Sequence, residues 1–398
     1  MNKFNNVLFL NQMAGPLFRE LAEDLSIHFL LQSELFTGHP DTLNLDSFST
    51  KLKIVAAPVY NRRSKTTRIF SWINYTVLSF FKLFFCPKNT LIFVVSNPPL
   101  IGIVVWLLNK IRNIEYIVLV YDIHPDTLIA SGLLKEKSVI SKLWRKINKA
   151  VWENSIAVYT IGDVMGERLA RNFDPSKTIL KKVGVIPPWA DTDLIQPLNK
   201  NDNPLAVSLN QQNYITVLYS GNMGISHDIE SILEAAKLLK EHKKIRFLFI
   251  GEGHKWKTAF DFVKVNNLSS VQVLPFQPEE NFPFTLALGD ISLVTLNIGV
   301  ESLMVPSKLY YYMAAGSAII GICKGDNDLR RSLQKVNAGI IVDPQNPVEL
   351  ANNILKLAND EDLLFQYKLN ARTGSVNFYS RKICMNNFLK SLREIGLI

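Results

Sequence analysis

Cysteine is scarce: Cys86, Cys323 and Cys384 are the only three in 398 residues, far apart and without any CxxC or Cys/His cluster. That spacing supports neither a disulfide framework nor a structural zinc site, and a reducing compartment is expected. Charge is also modest at 20%, while apolar residues make up 47% and aromatics 10%, a composition that buries cores and excludes disorder and fibrous repeats. Long hydrophobic runs are missing. The stretch Ile69 to Phe85 is 17 residues long and contains Lys82, short of the roughly 20 apolar residues a spanning helix needs. Leu91 to Leu108 is broken by Asn97-Pro98-Pro99, so no transmembrane segment is expected. Met1 to Asn6 runs straight into VLFL, so neither a signal peptide nor export is expected, and the predicted location is cytoplasmic. No G-x-G-x-x-G follows the first strand, which argues against a nicotinamide oxidoreductase.

What is present reads as two α/β halves. The length favours two domains. VLFL, KIVAAPV, TLIFVVS, YIVLVYD and SIAVYTI are strand-like and separated by stretches long enough for crossover helices; a second series runs TVLYSG, RFLFIG, VQVLPF, ISLVTL, AIIGI and AGIIVD. Two doubly wound parallel sheets are predicted. Between them VIPPWADTDLIQPLNKNDNP lacks periodicity and reads as a linker, with the boundary near Ile195 to Pro204. The predicted domains are 1–196, joined by a C-terminal helix at about 379–398, and 205–378. Charge divides unequally between the halves. Residues 1–190 hold 23 basic and 14 acidic side chains, and residues 191–398 hold 21 of each, so the first half is expected to meet an anionic partner, a membrane surface or an acidic polymer.

Ligands of open α/β sheets bind where loops leave the carboxyl ends of strands. Gly221-Asn222-Met223-Gly224 follows TVLYS and precedes a helix with Ile229, Ile232, Leu233, Ala236 and Leu239 on its apolar side. Glycines at such a turn let backbone N–H groups approach a phosphate, although glycine-containing turns are common without a ligand. Gly251-Glu252-Gly253 repeats the arrangement one strand later. In ISLVTLNIGVESLMVPSKLYYYMAAG, Pro306 opens a predicted short helix that Gly316 closes, placing Ser307 and Lys308 in its first turn. The helix dipole repels a lysine there unless an anion is present. A phosphate would resolve the conflict by accepting from free N–H groups, the Ser307 hydroxyl and the Lys308 ammonium; the alternative is a solvated lysine near Glu301.

YSGNMG, FIGEG, LPFQP and VESLMVPSKLYYYMAAG resemble the donor domain of family 4 retaining glycosyltransferases, in the subgroup carrying a Pro-Ser-Lys signature. VVSNPPL, YDIHPDTLIASGLL, YTIGD and IPPWADTD fit the first half more loosely. The resemblance implies a GT-B architecture, two Rossmann-like domains facing a cleft, with a nucleoside diphosphate sugar held by the second and a saccharide or lipid-linked acceptor by the first. It also implies a UDP-sugar as donor, polysaccharide biosynthesis as the setting and retained anomeric configuration. Relatives use two glutamates seven residues apart. Glu301 matches the one that contacts the donor hexose, while the ribose position falls on Tyr311, where a phenol replaces the carboxylate. The arginine and lysine that hold the diphosphate in relatives map to Asn222 and Ser226, which leaves Lys308 as the best-placed cation. By analogy the backbone at Phe276, Gln277 and Pro278 holds the base edge.

In the first half, Ala14-Gly15-Pro16 follows the first strand and is either a plain turn or a backbone contact to phosphate or acceptor. Asp122 and His124 follow YIVLVY. Asp122 is expected to accept from sugar hydroxyls or to cap a turn, and His124 is a candidate for proton transfer. The assigned catalytic residues are Lys308, Glu301 and Asp122. Asp191-Thr192-Asp193 spells the aspartate pair with which another glycosyltransferase fold binds a divalent metal, but neither it nor Asp326-Asn327-Asp328 is assigned to a metal. No cofactor is expected beyond the donor, and no nucleic acid. The segment KEKSVISKLWRKINKAVW, with Lys142, Arg145, Lys146 and Lys149, either packs in the core or, with Arg62, Arg63, Lys65, Arg68 and IFSWINY, docks on anionic lipid at the inner membrane face. A same-fold sugar-nucleotide epimerase and a non-enzymatic anion-binding protein are the competing readings.

Overall fold

A computed structural model describes residues 4–29, 31–44, 51–61, 64–173, 183–225 and 227–397. Arg62, Arg63 and Ser226, which carry expectations above, lie outside the described residues, as does the side chain of Lys65. The chain divides into two compact units, Met1–Pro187 with Met385–Ile398, and Pro188–Cys384.

The first unit is built on β1 (Asn6–Leu10), β2 (Gln32–Thr37), β3 (Leu52–Ala56), β4 (Thr90–Val95), β5 (Glu115–Val120), β6 (Ala157–Thr160) and β7 (Val183–Val185). All are parallel, in the order β3-β2-β1-β4-β5-β6-β7. Every residue of β4, TLIFVV, is buried, as a central parallel strand covered on both faces requires. The second unit holds β8 (Ile215–Ser220), β9 (Ile245–Ile250), β10 (Val271–Leu274), β11 (Ile291–Thr295), β12 (Ala318–Ile322) and β13 (Gly339–Val342). Its order is β10-β9-β8-β11-β12-β13, again parallel. In each sheet the chain starts in the middle, winds to one edge and restarts beside the first strand, so β1/β4 and β8/β11 are the switch points where crevices open at the carboxyl ends.

The segment read as a linker packs within the second unit, which begins at Pro188. Its irregular carbonyls find a donor in Arg372, which bonds Ile195 O and Ala314 O at 2.8 Å through Nη1 and Thr192 O at 2.9 Å through Nη2. Asp191 Oδ1 accepts from the N–H groups of Asp193 and Leu194 at 3.0 Å, a turn. The helix Arg381–Glu394 starts in the second unit, and its residues from Met385 belong to the first. There Phe388 packs edge-on to Tyr159 at 4.8 Å, and Ser391 Oγ lies 2.9 Å from the Tyr159 hydroxyl.

At the amino ends of β8 and β11, Asp290 holds the second unit's sheet together. It pairs with Lys200, accepts from Lys368 Nζ at 2.9 Å and accepts from Thr216 N at 2.9 Å. Burial alone would raise its carboxyl, but the Lys368 and Lys200 ammonium groups and the Thr216 N–H reverse this and hold it below the ordinary carboxylate value. The stabilisation is therefore present above about pH 4, the unfolded value, and is lost as pH falls through the folded one. Asp290→Asn is expected to cost about 3 kcal/mol at pH 7, because it leaves the largely buried Lys200 ammonium uncompensated. Urea unfolding at pH 7 and in acid should show the deficit shrinking as the wild-type carboxyl protonates.

Candidate functional site

Two glycine turns lie against each other at the carboxyl ends of β8 and β9. A Cβ on Gly251 would sit 2.0 Å from Gly221 O, and one on Gly253 would sit 2.5 Å from Asn222 Oδ1. Gly221, Gly251 and Gly253 have φ of +124°, +151° and +126°, a backbone region that disfavours side chains. Gly221 N–H donates to Ile250 O at 2.8 Å and Met223 N–H to Glu252 O at 2.6 Å. Gly224 N–H donates to His227 Nδ1 at 3.1 Å. These three donors, expected to be free for phosphate, are therefore spent on the turns themselves, because neighbouring carbonyls and an imidazole lie within reach. The glycines serve the close packing of the two turns.

That packing shapes the surroundings of Lys308. The helix Lys308–Ala314 begins two residues later than expected, with Ser307 at its N-cap. The Ser307 side chain is exposed and caps nothing. Part of Lys308 reaches the surface, but its Nζ is enclosed and has no hydrogen-bond partner. The ammonium lies 3.9 Å from the centre of the Tyr219 ring and 3.4 Å from where a Gly221 Cβ would be. The solvated alternative, a lysine near Glu301, is thereby overturned: Glu301 turns back to accept from Gly299 N–H at 2.6 Å. Burial pushes the Lys308 amine down to about 7, since a ring face compensates an ammonium only in part. His227 is lowered to about 3 by burial and then by the charge of Lys308, so it stays neutral and its Nδ1 accepts from Gly224.

Tyr219, His227 and Tyr312 complete the site and were not singled out from sequence. The Tyr312 hydroxyl accepts from Ser220 N at 2.6 Å and donates to Ser220 O at 3.0 Å, pinning the end of β8 to the Lys308 helix. Tyr219 OH donates to Asn222 O at 2.9 Å. The available signal was an aromatic two residues before Gly221 and a histidine beside the Asp228 cap. The loop after β11 is tied in by Asn297 Nδ2, which donates to Ile225 O at 2.7 Å.

The structure thus brings together Gly221, Asn222, Met223, Gly224, Gly251, Glu252 and Lys308. Tyr311 packs edge-on to Phe282 at 5.5 Å instead of joining the lysine. Phe276 is half exposed beyond β10, and Gln277 Nε2 donates to Pro275 O at 3.1 Å. In the first unit Gly15 N–H donates to Met13 O at 2.8 Å, a turn. The N–H of Asp122 donates to Ser96 Oγ at 3.1 Å. His124 Nδ1 lies 2.7 Å from Thr127 Oγ1, and burial lowers the imidazole against the opposing pull of Asp122. Among the described residues no group of three His, Cys, Asp or Glu is placed to hold a metal. Asp326 is engaged by Arg331 at 2.5 Å.

Residues 214–360 match the sequence pattern of the family described as glycosyl transferases group 1. The matched stretch lies within the second unit. Over 259 residues the chain is 27% identical to a probable glycosyltransferase, WbjE, of Pseudomonas aeruginosa; the match covers 65% of this chain and 64% of the relative, just under two thirds of its length. In fold the whole chain is similar to sucrose-phosphate synthase of Thermosynechococcus elongatus, with a TM-score of 0.73, 16% identity and 98% of each chain covered. It is also similar to HepE of Anabaena, solved with UDP-glucose, with a TM-score of 0.71, 13% identity and coverage of 98% of this chain and 99% of that one. The two units have the GT-B fold, and the enclosed lysine lies among the matched residues 214–360.

An enclosed amine makes stability depend on pH. The unfolded lysine titrates near 10.4 and the folded one near 7, so between these values the unfolded chain holds the extra proton and stability rises with pH. Lys308→Met is expected to be about 4 kcal/mol more stable than wild type at pH 7, the gap closing towards pH 10. Thermal unfolding across that range checks it; a constant gap would contradict an enclosed ammonium.

Proposed function

We propose that the protein is a family 4 retaining glycosyltransferase of the Pro-Ser-Lys subgroup. It moves a hexose or N-acetylhexosamine from a UDP-sugar to a saccharide or lipid-linked acceptor in polysaccharide biosynthesis, as a cytoplasmic enzyme. The observation that carries this reading is the Lys308 Nζ, enclosed and without a partner at the β8/β11 switch point. An uncompensated ammonium there is poised for an anion. The Pseudomonas relative and the UDP-glucose complex of HepE support a nucleotide-sugar donor.

In this reading the second unit binds the donor, with the diphosphate on Lys308 and Ser307. Asn222, Met223, Gly224 and the Gly251-Glu252 turn line the phosphates and sugar, Glu301 takes the hexose hydroxyls, Tyr311 lies towards the ribose, and Phe276 and Gln277 bound the base. The first unit presents the acceptor through Gly15, Asp122 and His124. The bond from the sugar C1 to the diphosphate oxygen breaks, the acceptor oxygen bonds C1 on the same face, and the acceptor proton passes to the departing diphosphate. Lys308 stabilises the negative charge that develops on that leaving group, so the chemistry needs no metal. No carboxylate pair spaced for a covalent glycosyl-enzyme is invoked.

Incubation with isotope-labelled nucleotide sugars distinguishes transfer or slow hydrolysis from isomerisation and from binding without turnover. Lys308→Ala is expected to lower kcat about 100-fold with a smaller loss of donor affinity, as for removal of one preorganised stabilising group. Tyr311→Phe is expected to act on donor affinity by about 1 kcal/mol. UDP affinity should fall as pH rises above about 7, because the bound diphosphate selects the protonated amine. Near-wild-type turnover by Lys308→Ala, or isomerisation in place of transfer, would overturn the reading.

A further inference from the structure

The helix Lys65–Phe85 of the first unit is inside out. Its inward face is Ser71, Tyr75, Ser79 and Leu83, all buried, while Phe70, Ile73, Val77, Phe81, Phe84 and Phe85 on the other side are 41% to 77% exposed. An ordinary surface helix has the opposite polarity. The apolar surface continues over two neighbours. Helix Ile101–Arg112 packs against Lys65–Phe85 and exposes Leu107 and Ile111, and helix Val139–Glu153 packs against Ile101–Arg112 and exposes Val139, Ile140 and Leu143. Exposed apolar side chains on three successively packed helices mark an interaction site.

Charge selects the occupant. Residues 47–114 contain ten Lys and Arg and not one Asp or Glu. Some of the cations are used internally: Lys82 pairs with Glu34 at 2.6 Å, and Arg112 Nη1 donates to Leu83 O at 2.8 Å. On the third helix Arg145 is held by Asp126 at 2.7 Å, and Lys149 lies 3.8 Å from Glu153. Arg145 and Lys149 are thus partly offset on the basic face expected from sequence. Lys88, Lys142 and Lys146 remain exposed around the apolar surface. Glu136, 3.7 Å from Arg145, is the exposed acid beside the third helix, so a second copy meeting this face would bring mostly like charges together, whereas an anionic sheet satisfies both the apolar surface and its basic rim.

We propose that this face docks on an anionic lipid bilayer, with helix Lys65–Phe85 lying in the headgroup plane, its phenylalanines in the acyl boundary and Lys142 and Lys146 on lipid phosphates. Among the described residues no helix is long and apolar enough to cross a membrane, and in-plane docking needs no crossing. The proposal rests on the first unit alone, so its failure would leave the donor-site assignment standing.

Flotation of the full chain with vesicles of about one-third phosphatidylglycerol in phosphatidylcholine tests it against pure phosphatidylcholine. Binding to the anionic vesicles is expected to be at least about tenfold stronger, and to weaken in high salt. The triple variant Phe70→Ser, Phe81→Ser, Phe85→Ser should lose at least about tenfold of that binding, with an unchanged melting temperature, since its target side chains are outside the core. Lys142→Glu with Lys146→Glu should abolish the preference for anionic lipid while leaving UDP binding intact. Equal or negligible binding to both vesicles would overturn the proposal. So would a dimer in sedimentation that the triple variant dissociates without any vesicle binding.

Discussion

An ammonium held out of water without a partner is costly, and the arrangement around Lys308 follows from how the second unit tolerates it. The two glycine turns approach so closely that Gly251 and Gly253 admit no side chain, and that approach encloses the space where the Lys308 Nζ lies. Tyr219 offers a ring face, and the neutral His227 orders the glycine turn without adding charge. Tyr312 fixes the lysine's helix to the end of β8. None of these groups neutralises the charge, so the amine titrates near neutrality and the missing counter-charge is what a diphosphate would bring. In the proposed reading, stability is given up at the point where donor binding would regain it.

The first unit departs from the same folding rules in another way. It places hydroxyls inward and phenylalanines outward along one helix, an arrangement that costs solubility and gains nothing for its core. In each unit the informative feature is a local conflict with ordinary packing: an unpaired cation in one, an inverted helix in the other. A chain selected for folding alone would have resolved both.

Much of the architecture was legible in the sequence because buried parallel strands are near-continuous apolar runs. All six strands of the second sheet appear as such runs, and so do five of the first. The strand Gln32–Thr37 was missed because Glu34 interrupts its pattern, the carboxylate being matched by Lys82 from a distant helix. Val183–Val185 is too short to register. Lys308 could be singled out from its position beside Pro306, but its enclosure could not, since that depends on turns more than fifty residues away. For the same reason the glycine-turn N–H groups read as phosphate donors, although Ile250 O and Glu252 O already occupy two of them. Nothing in the sequence marks Tyr219 and Tyr312, and only the folded geometry shows their hydroxyls holding the turn.

Hydrogen exchange with and without UDP tests the central claim most directly. If the enclosed lysine and its turns receive the diphosphate, UDP should protect the turn at 221–224 and the helix Lys308–Ala314, with little change in the segment 188–204. Protection confined to the first unit, or none in the second, would contradict the account and move the donor to the other sheet.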